Sequence, residues 1–308
     1  MSPFSAGNDS VPPGRSLAVP IAAAELQNSY RLCQELAART GKNFYYSFLT
    51  LPRTQFRSMC ALYAFMRVTD DLGDEPRPVE EKASALDRWK QDLDAALAGE
   101  TGRHPVLPAV VDMLRRHDVP VEYLQAVIAG VQSDLQPVDI ATNEELSRYC
   151  YLVAGAVGLA CIHVWGFRHE RALIAAQACG EAFQRTNILR DLREDALNNR
   201  FYLPREHRLQ FGCMPSDFET ASGPERLRAL MEFELARTRP FYARAEALLP
   251  DLEPVGRPIL RAMLSIYGGI YRRIVKSPLS VFEQRVRLSR PHKLWIAARS
   301  ALSGIWSP

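Results

Sequence analysis

Two helical segments of the sequence each carry several acidic residues at a spacing that places them on one helix face. These acids are Asp70, Asp71 and Asp74 in YAFMRVTDDLGDEP, and Asp191, Glu194 and Asp195 in FQRTNILRDLREDALNNRFYLP. Residues four apart share a helix face, so each segment directs at least two carboxylates the same way. Carboxylate oxygens suit Mg²⁺, which completes its coordination shell with water and phosphate oxygens. The spacing therefore indicates chemistry on a phosphate or diphosphate.

The second acidic segment continues a polar stripe along a helix that is otherwise apolar. Asn187, Asp191 and Asp195 follow one another at four-residue intervals, and Gln184 lies on the same face one turn earlier. A polar stripe that faces a protein core needs a partner such as a metal ion, water or an opposing helix. We therefore expect this stripe to face Asp70 across a cavity.

Each segment also admits a purely structural interpretation. The first acids are compatible with a solvated helix end, where Arg67 either balances their charge or reaches a phosphate oxygen. The second acids are compatible with an exposed face on which Arg190 and Arg193 pair with Glu194 and Asp195. The sequence alone leaves both interpretations open.

Two acidic faces opposed across a cavity would let two or three Mg²⁺ ions hold a diphosphate between them. Metal ions neutralise the charge that builds up on a departing diphosphate and so lower the barrier to breaking a carbon–oxygen bond. The product is an allylic carbocation, which requires a dry pocket with aromatic faces. The aromatic residues near the first acids are Phe44, Tyr45, Tyr46, Phe48, Tyr63 and Phe65. Each of them is equally compatible with ordinary core packing.

Composition and motifs exclude several classes of protein. Of the 308 residues, 47% are hydrophobic and 24% are charged, which is enough material for a large core. A formal charge of +3, with basic and acidic residues interspersed, argues against nucleic acid as a partner. The six cysteines occur singly, without zinc-ligand spacing, and are expected to be reduced in a cytoplasmic protein. The sequence has no phosphate-binding loop, dinucleotide fingerprint, nucleophile elbow or HExxH zinc motif.

Apolar residues recur at intervals of three and four along most of the chain, which predicts an all-α fold. The predicted helices cover residues 22–39, 53–72, 78–98, 105–117, 120–132, 143–165, 169–197, 224–248, 254–275 and 291–303. We expect residues 21–308 to form a single domain after a mobile tail over 1–20, which lacks the features of a signal peptide. The sequence has no run of about twenty apolar residues without charges, so no membrane-spanning helix is expected.

The chain resembles the squalene and phytoene synthase family of head-to-head trans-prenyltransferases over about residues 28–295. The segments that carry the resemblance are NFYYSFLTLP, ALYAFMRVTDDLGDE, YCYLVAGAVG, QRTNILRDLREDALNNRFYLP and QRVRLSRPHKL. The resemblance implies a helical isoprenoid-synthase bundle around a central cavity, with Mg²⁺ bound by the two aspartate-rich motifs and two prenyl diphosphate sites in one tunnel. Asn43 stands where many members carry a serine, a departure that keeps a polar group at this position.

The resemblance also assigns roles to individual positions. The implied metal ligands are Asp70, Asp74, Asn187, Asp191 and Asp195, with Asp71 and Glu194 as further motif members. The implied contacts to diphosphate or to the metals are Arg67, Gln184, Arg190, Tyr202, Tyr267 and Arg285. The implied prenyl-contacting wall consists of Phe44, Tyr63, Tyr149, Val153 and Gly158.

The activity that the resemblance implies is Mg²⁺-dependent condensation of two farnesyl diphosphates to presqualene diphosphate, with or without onward conversion to squalene. The implied catalytic residues are Asp70, Asp74, Asp191, Asp195 and Tyr149. Either Tyr149 or the released diphosphate takes the proton that is lost when the cyclopropane closes. The nearest alternatives are phytoene synthesis from geranylgeranyl diphosphate and dehydrosqualene synthesis from farnesyl diphosphate. The sequence leaves the use of NADPH open.

Two further expectations concern partners. A non-catalytic helical scaffold is the alternative from another class, but such a protein is expected to have lost acids, and all six are present here. The C-terminal segment LWIAARSALSGIWSP is compatible with a peripheral contact on the inner face of the membrane and with a packed terminal helix.

Overall fold

The computed structural model describes residues 21–41, 45, 47–100 and 102–287. Its helices are α1 (Ala23–Thr40), α2 (Arg53–Asp74), α3 (Val79–Leu97), α4 (Leu107–Arg116), α5 (Val121–Ser133), α6 (Asn143–Cys150), α7 (Ala156–Trp165), α8 (Arg171–Leu197), α9 (Arg205–Gln210), α10 (Pro215–Thr220), α11 (Pro224–Glu246), α12 (Arg257–Lys276) and α13 (Ser280–Glu283). A π-helix at Tyr151–Gly155 joins α6 to α7, and a 3₁₀ turn covers Leu249–Asp251.

The fold is all-α, as the spacing of apolar residues predicts. Each helix predicted between residues 22 and 275 is present, and its ends fall within three residues of the predicted ones. The short helices α9, α10 and α13 were not predicted. A two-residue parallel pair, β1 (Val138–Asp139) with β2 (Arg200–Phe201), was not predicted either. The predicted helix over 291–303, the N-terminal tail, Asn43 and Phe44 lie outside the described residues.

The long helix α8 passes through both hydrophobic clusters of the molecule. Its first half, from Ala172 to Phe183, packs in a cluster with α1–α5 and α7. Its second half, from Ile188 to Ala196, packs with α6 and with the segments after residue 200. Because α8 is shared, the polar stripe that it carries lies in the middle of the bundle.

Glycines allow α8 to approach α7 and the π-helix closely. A Cβ at Gly180 would lie 2.6 Å from the carbonyl oxygen of Ala154, and one at Gly158 would lie 3.1 Å from the carbonyl oxygen of Ala176. Between these two contacts the residue number falls from 180 to 176 on α8 and rises from 154 to 158 on the segment opposite, so the two run antiparallel. Gly158 therefore has the packing role that a helical glycine normally needs.

The continuous helical stretch Asn143–Trp165 is long and apolar enough to cross a membrane, by length and composition only. The expectation that no such stretch exists is therefore wrong as a statement about composition. The stretch packs against α5 and α8 within the bundle. A core helix of this kind passes the same test, so its apolar composition has an explanation in the fold.

Candidate functional site

An apolar cavity of about 270 Å³ lies between α2, the π-helix, α7, α8 and α12. The predicted site residues that line it are Tyr63, Val153, Gly158, Gln184, Asn187 and Tyr267. On α8 the lining residues recur at intervals of three and four from Ala176 to Asn187, which is one face of the helix. At 1.5 Å per residue this stripe is about 16 Å long. The cavity therefore has a deep end near Ala176 and a polar end near Asn187.

The acidic segments begin where the lining of the cavity stops. On α2, Tyr63 and Met66 line the cavity, and Asp70 and Asp74 follow Met66 at intervals of four. On α8, Asn187 lines the cavity, and Asp191 follows it one turn later. Both segments therefore lie at the polar end of one cavity, as the sequence predicts.

The first acidic segment contains one paired and two unpaired carboxylates. Asp71 pairs with Arg67, whose Nε lies 3.1 Å from Oδ2 of Asp71. Within the described part of the chain, neither Asp70 nor Asp74 has a basic partner within 4.0 Å. Burial against the surrounding protein, together with the charge of Asp74, raises the pKa of Asp70 to about 6. The segment thus carries more negative charge than Arg67 alone can neutralise.

The second acidic segment is partly neutralised by arginines. Nε of Arg190 and Nε of Arg285 each lie 2.9 Å from Oδ1 of Asp191. Arg285 also lies 3.3 Å from Glu194. Asp195 has no basic partner within 4.0 Å in the part of the chain that the structure covers, and burial with the charge of Asp191 raises its pKa to about 7.

Among the described residues, the second segment does not show the arginine–carboxylate pairs that were expected for an exposed helix face. Arg193 donates to the backbone carbonyl of Phe282 at 2.9 Å and not to a neighbouring carboxylate. Arg190 turns inward to Asp191, whose side chain is only 13% exposed. The stripe therefore faces the interior of the bundle.

Asn187 provides an observation that fits a bound cation. Its Oδ1 atom is buried and accepts no hydrogen bond, while its Nδ2 donates weakly to Gln184 at 3.3 Å. A buried oxygen without a donor is costly, which makes it a ready ligand for a metal ion. Among the described residues, no three acidic, histidine or cysteine side chains lie close enough together to hold a metal ion as placed. The unpaired oxygens of Asp70, Asp195 and Asn187 are the donor set that suits Mg²⁺.

Asp134, which the sequence analysis missed, lies between the two acidic segments. Burial raises the pKa of Asp134, and the charge of Asp74 adds to this rise. The charge of Asp134 likewise adds to the rise that burial causes in the pKa of Asp195. The carboxylate of Asp134 accepts hydrogen bonds from the hydroxyl of Tyr149 at 3.0 Å and from that of Tyr202 at 2.8 Å. Asp134 thus connects the acids of α2 with those of α8.

Tyr149 and Tyr202 form one stacked pair on Asp134. Their ring centroids are 4.7 Å apart, and the rings are inclined by 26°. Burial and the charge of Asp134 raise the pKa of both phenols above its usual range. Both phenols therefore stay protonated at neutral pH. Neither tyrosine lines the apolar cavity, but Tyr149 precedes the lining residue Val153 by one helical turn.

The aromatic residues near the first acids have different roles. Phe48 and Tyr63 line the cavity. Phe65 is fully buried and stacks on Trp89 with centroids 5.2 Å apart, so it belongs to the core. Tyr45 packs edge-on against Phe56. Phe44 and Tyr46 lie outside the described residues. Near Asn187, at the polar end of the cavity, Tyr267 stacks on Phe183 with ring centroids 4.2 Å apart and forms part of one wall.

The cysteines are free thiols, as predicted, but two of them border the site. Cys161 and Cys179 line the cavity, where small side chains leave room for a ligand. This position at the site was not predictable from the sequence, because both residues fit an apolar core helix equally well. Gly180 lines the same wall and was likewise not singled out.

Comparison with known proteins agrees with this geometry. The family model described as squalene/phytoene synthase matches residues 37–292. A phytoene synthase from Mycobacterium tuberculosis is 32% identical over 284 residues, which cover 91% of this chain and 93% of the relative. A phytoene synthase from Arthrospira platensis is 34% identical over 278 residues, with 85% and 89% covered.

Solved structures of similar proteins share the fold. A dehydrosqualene synthase in complex with a ligand is 26% identical, with a TM-score of 0.80 over 91% of this chain and 98% of that one. Squalene synthase HpnC from Alicyclobacillus acidocaldarius is 25% identical, with a TM-score of 0.77 over 83% and 96%. The chain belongs to the squalene/phytoene synthase family and is a prenyltransferase.

Proposed function

We propose that this prenyltransferase joins two molecules of geranylgeranyl diphosphate head to head and makes phytoene. The observation that carries the proposal is the apolar cavity that ends at two acidic segments. The cavity suits a prenyl chain, and the acids, with bound cations, suit its diphosphate. The choice of the C20 substrate is supported by the phytoene synthases that are 32–34% identical over most of this chain.

The apolar wall contributes a dry environment for the reacting carbons. In the first step the C1–O bond of the donor breaks, and its electron pair leaves on diphosphate. The C2–C3 double bond of the second molecule then forms the new carbon–carbon bond, and loss of a proton closes a cyclopropane that still carries the second diphosphate. Departure of this second diphosphate with its electron pair, opening of the ring and loss of a second proton then give phytoene. Phe183 and Tyr267 present stacked aromatic rings beside the path of this cation, which lower its energy through their π electrons.

The polar end of the cavity holds the leaving group. Three arginines form ion pairs with these acids: Arg67 with Asp71, and both Arg190 and Arg285 with Asp191. Each guanidinium offers paired donors that suit diphosphate oxygens. These arginines keep the site partly neutral until a diphosphate arrives. When a diphosphate binds, the arginines can exchange their ion pairs with the acids for contacts to the diphosphate, which is more highly charged than a carboxylate.

The implied Mg²⁺ ions fit the oxygens available at this end. The residues that would hold them are Asp70, Asp74, Asn187, Asp191 and Asp195. When bound, Mg²⁺ supplies Lewis-acid stabilisation of the departing diphosphate. With a pKa raised to about 7, Asp195 is only partly ionised at neutral pH, while Asp70, with a pKa raised to about 6, is mostly ionised, so a bound cation would favour the charged form most at Asp195.

The second candidate is condensation of two farnesyl diphosphates to presqualene diphosphate or dehydrosqualene. It is favoured by the structural likeness to a dehydrosqualene synthase and to squalene synthase HpnC. Both candidates use the same acids and the same cavity. They differ in the length of prenyl chain that the deep end near Ala176 accepts.

Product analysis separates the two candidates. The purified protein is incubated with Mg²⁺ and with each diphosphate alone, then with an equimolar mixture, and the extracted products are identified by mass spectrometry. We expect a C40 hydrocarbon from geranylgeranyl diphosphate and a preference for it in the mixture. Formation of C30 products alone would contradict the proposal and support the second candidate.

A matched variant shows that the product comes from this site. Asp70→Asn keeps the size of the side chain and removes its charge, and we expect it to lower turnover at least about a hundredfold. Asp87→Asn is the control, because Asp87 lies on α3 and accepts a hydrogen bond from Gln132 at the surface. Equal activity of the two variants would place the chemistry elsewhere.

A further inference from the structure

The hydrogen bonds at Asp134 fix the direction in which two tyrosine hydroxyls point. The hydroxyl of Tyr149 donates to Oδ2 of Asp134 and the hydroxyl of Tyr202 donates to Oδ1. Each carboxylate oxygen thus receives one proton donor, an arrangement that suits an ionised carboxylate. A protonated carboxyl would place its own proton on one of these oxygens.

A phenol has one proton to donate. When that proton is committed to a carboxylate, the phenol oxygen can only accept a further hydrogen bond or face positive charge. The oxygens of Tyr149 and Tyr202 also lie within hydrogen-bond reach of each other, and toward any further partner they present lone pairs and no proton. Ionised diphosphate oxygens are hydrogen-bond acceptors, so they gain nothing from a phenol whose proton is committed elsewhere.

The surroundings of Asp134 keep this arrangement in place. Burial raises the pKa of Asp134, and the hydrogen bonds from Tyr202 and Tyr149 offset part of this rise. Arg200, on β2, donates through Nη2 to the backbone carbonyl of Asp134 at 3.2 Å, and its charge offsets a further part. The stacking of Tyr149 on Tyr202 holds the two rings as a unit. The acids that face Asp134 are Asp74 and Asp195, which add negative charge on either side.

We propose that Asp134 is a positioning residue that turns Tyr149 and Tyr202 into hydrogen-bond acceptors, so that this pair favours positive charge in the cleft and does not bind diphosphate. The partner of the pair carries positive charge or donates a proton: it is the allylic carbocation or the O–H of a water. This inference rests on the proposed prenyl diphosphate chemistry, and it revises the diphosphate contact expected for Tyr202.

Separate measurements of binding and turnover test this role. We expect Tyr149→Phe, Tyr202→Phe and Asp134→Asn each to lower kcat at least about tenfold. Binding of inorganic diphosphate with Mg²⁺, measured by calorimetry, should stay within about twofold of wild type for both phenylalanine variants. Asparagine can accept only one of the two phenol protons, so Asp134→Asn should also redirect one hydroxyl.

The control is Asp139→Asn, five residues further on, whose carboxylate pairs with Arg205 at 2.5 Å and with Arg208. It should leave kcat and diphosphate binding within about twofold of wild type. If either phenylalanine variant weakens diphosphate binding tenfold while kcat is unchanged, the tyrosines are diphosphate donors and the inference is overturned.

The inference and the proposed function can fail separately. A wild-type protein that binds diphosphate but makes no C40 or C30 product contradicts the proposed function. The geometry at Asp134 is then tested by thermal unfolding of Asp134→Asn, Tyr149→Phe and the double variant. Strictly additive losses of stability would show that the hydrogen bond is absent and would overturn the inference.

Discussion

The buried Oδ1 of Asn187 has no hydrogen-bond donor, which costs stability in the folded protein but leaves the oxygen available to bind a metal ion. Asn187→Ala therefore removes an unsatisfied oxygen, a long hydrogen bond to Gln184 and a contact with the hydroxyl of Tyr267. We expect the free energy of unfolding to change by less than about 1 kcal/mol. The Mg²⁺ concentration for half-maximal activity should rise about tenfold or more, because a ligand is lost. Thermal unfolding and a Mg²⁺ titration of activity check this.

Asn198→Ala is the matched control for this prediction. Asn198 ends the same helix and donates to the backbone carbonyl of Glu194 at 2.7 Å, on an exposed surface. This variant should lose a few tenths of a kcal/mol of stability and keep the wild-type dependence on Mg²⁺. Equal Mg²⁺ titrations of Asn187→Ala and wild type would remove Asn187 from the ligand set.

The unpaired acids predict how stability depends on pH. The pKa of Asp70 is raised to about 6 and that of Asp195 to about 7, from an ordinary value of 3.8. The folded protein therefore holds protons that the unfolded chain has released. Without metal, its stability should fall as pH rises from about 4 to about 7. Asp195→Asn should raise the Tm of the metal-free protein at pH 8 by a few degrees and change it little at pH 4.

Added Mg²⁺ distinguishes this electrostatic origin from a packing effect. At pH 8 the ion should raise the Tm of wild type more than that of Asp195→Asn, because it neutralises the carboxylate that the variant lacks. Differential scanning fluorimetry at four pH values, with EDTA or with MgCl₂, measures both effects. A Tm for Asp195→Asn below wild type at pH 8 in EDTA would contradict the prediction.

Residues of the site could be predicted from the sequence where they recur at regular intervals within one helix. The ladder from Asn187 to Asp195 and the pair of Asp70 with Asp74 are visible because their partners are four residues away. Asp134 is a lone acid, and its partners lie 15 and 68 residues away in sequence. No local periodicity can show such a contact, so only the assembled fold reveals it.

At the scale of the helix, α8 combines the two functions of the site. One face supplies the wall of the cavity and then the acids, while the glycines and alanines allow close contact with α7. This helix was predictable because its apolar residues recur with helical spacing over 27 residues. The helices α9 and α10 have six residues each, too few for a periodic pattern to develop.

Gly180 tests the close contact between α8 and the π-helix. A Cβ there would lie 2.6 Å from a carbonyl oxygen of Ala154 and 2.7 Å from the Cα of Gly155, which are backbone atoms that cannot turn aside. We expect Gly180→Ala to cost about 2 kcal/mol or more, despite the helix propensity of alanine. Chemical denaturation measures the loss.

Gly268→Ala is the matched control in another helix that borders the cavity. Its Cβ would meet only the end of the Arg272 side chain at 3.2 Å, and that side chain can move. The gain in helix propensity should make this variant as stable as wild type or up to about 1 kcal/mol more stable. Equal losses of stability in both variants would contradict a specific contact at Gly180.

At the scale of the whole molecule, the cavity links the chemistry to the choice of substrate. It is closed at the end opposite the acids by residues from three separate parts of the chain, among them Trp165, Leu248 and Leu260. The resemblance of the sequence to a family predicts that a tunnel exists. The size of its deep end depends on how these residues, which are distant in sequence, pack together. Such packing cannot be predicted from the sequence alone.

Cys161 offers a position at which the deep end can be shortened. It lines the cavity on α7, eight residues beyond Val153, which corresponds to about 12 Å along the helix. Cys161→Phe fills this part of the cavity, so the longer prenyl chain should lose more than the shorter one. We expect the ratio of kcat/KM for geranylgeranyl over farnesyl diphosphate to fall at least about tenfold, since lost space for a few methylenes is worth 1–3 kcal/mol.

Cys161→Ser is the control at the same position, because it changes the volume little and leaves the depth of the cavity intact. It should keep the wild-type ratio of kcat/KM for the two diphosphates, measured by competition and mass spectrometry of the products. The acids at Asp70 and Asp191 are untouched in both variants, so each should still bind inorganic diphosphate with Mg²⁺. A fall in kcat/KM by the same factor for both diphosphates in Cys161→Phe would show that the deep end does not select chain length.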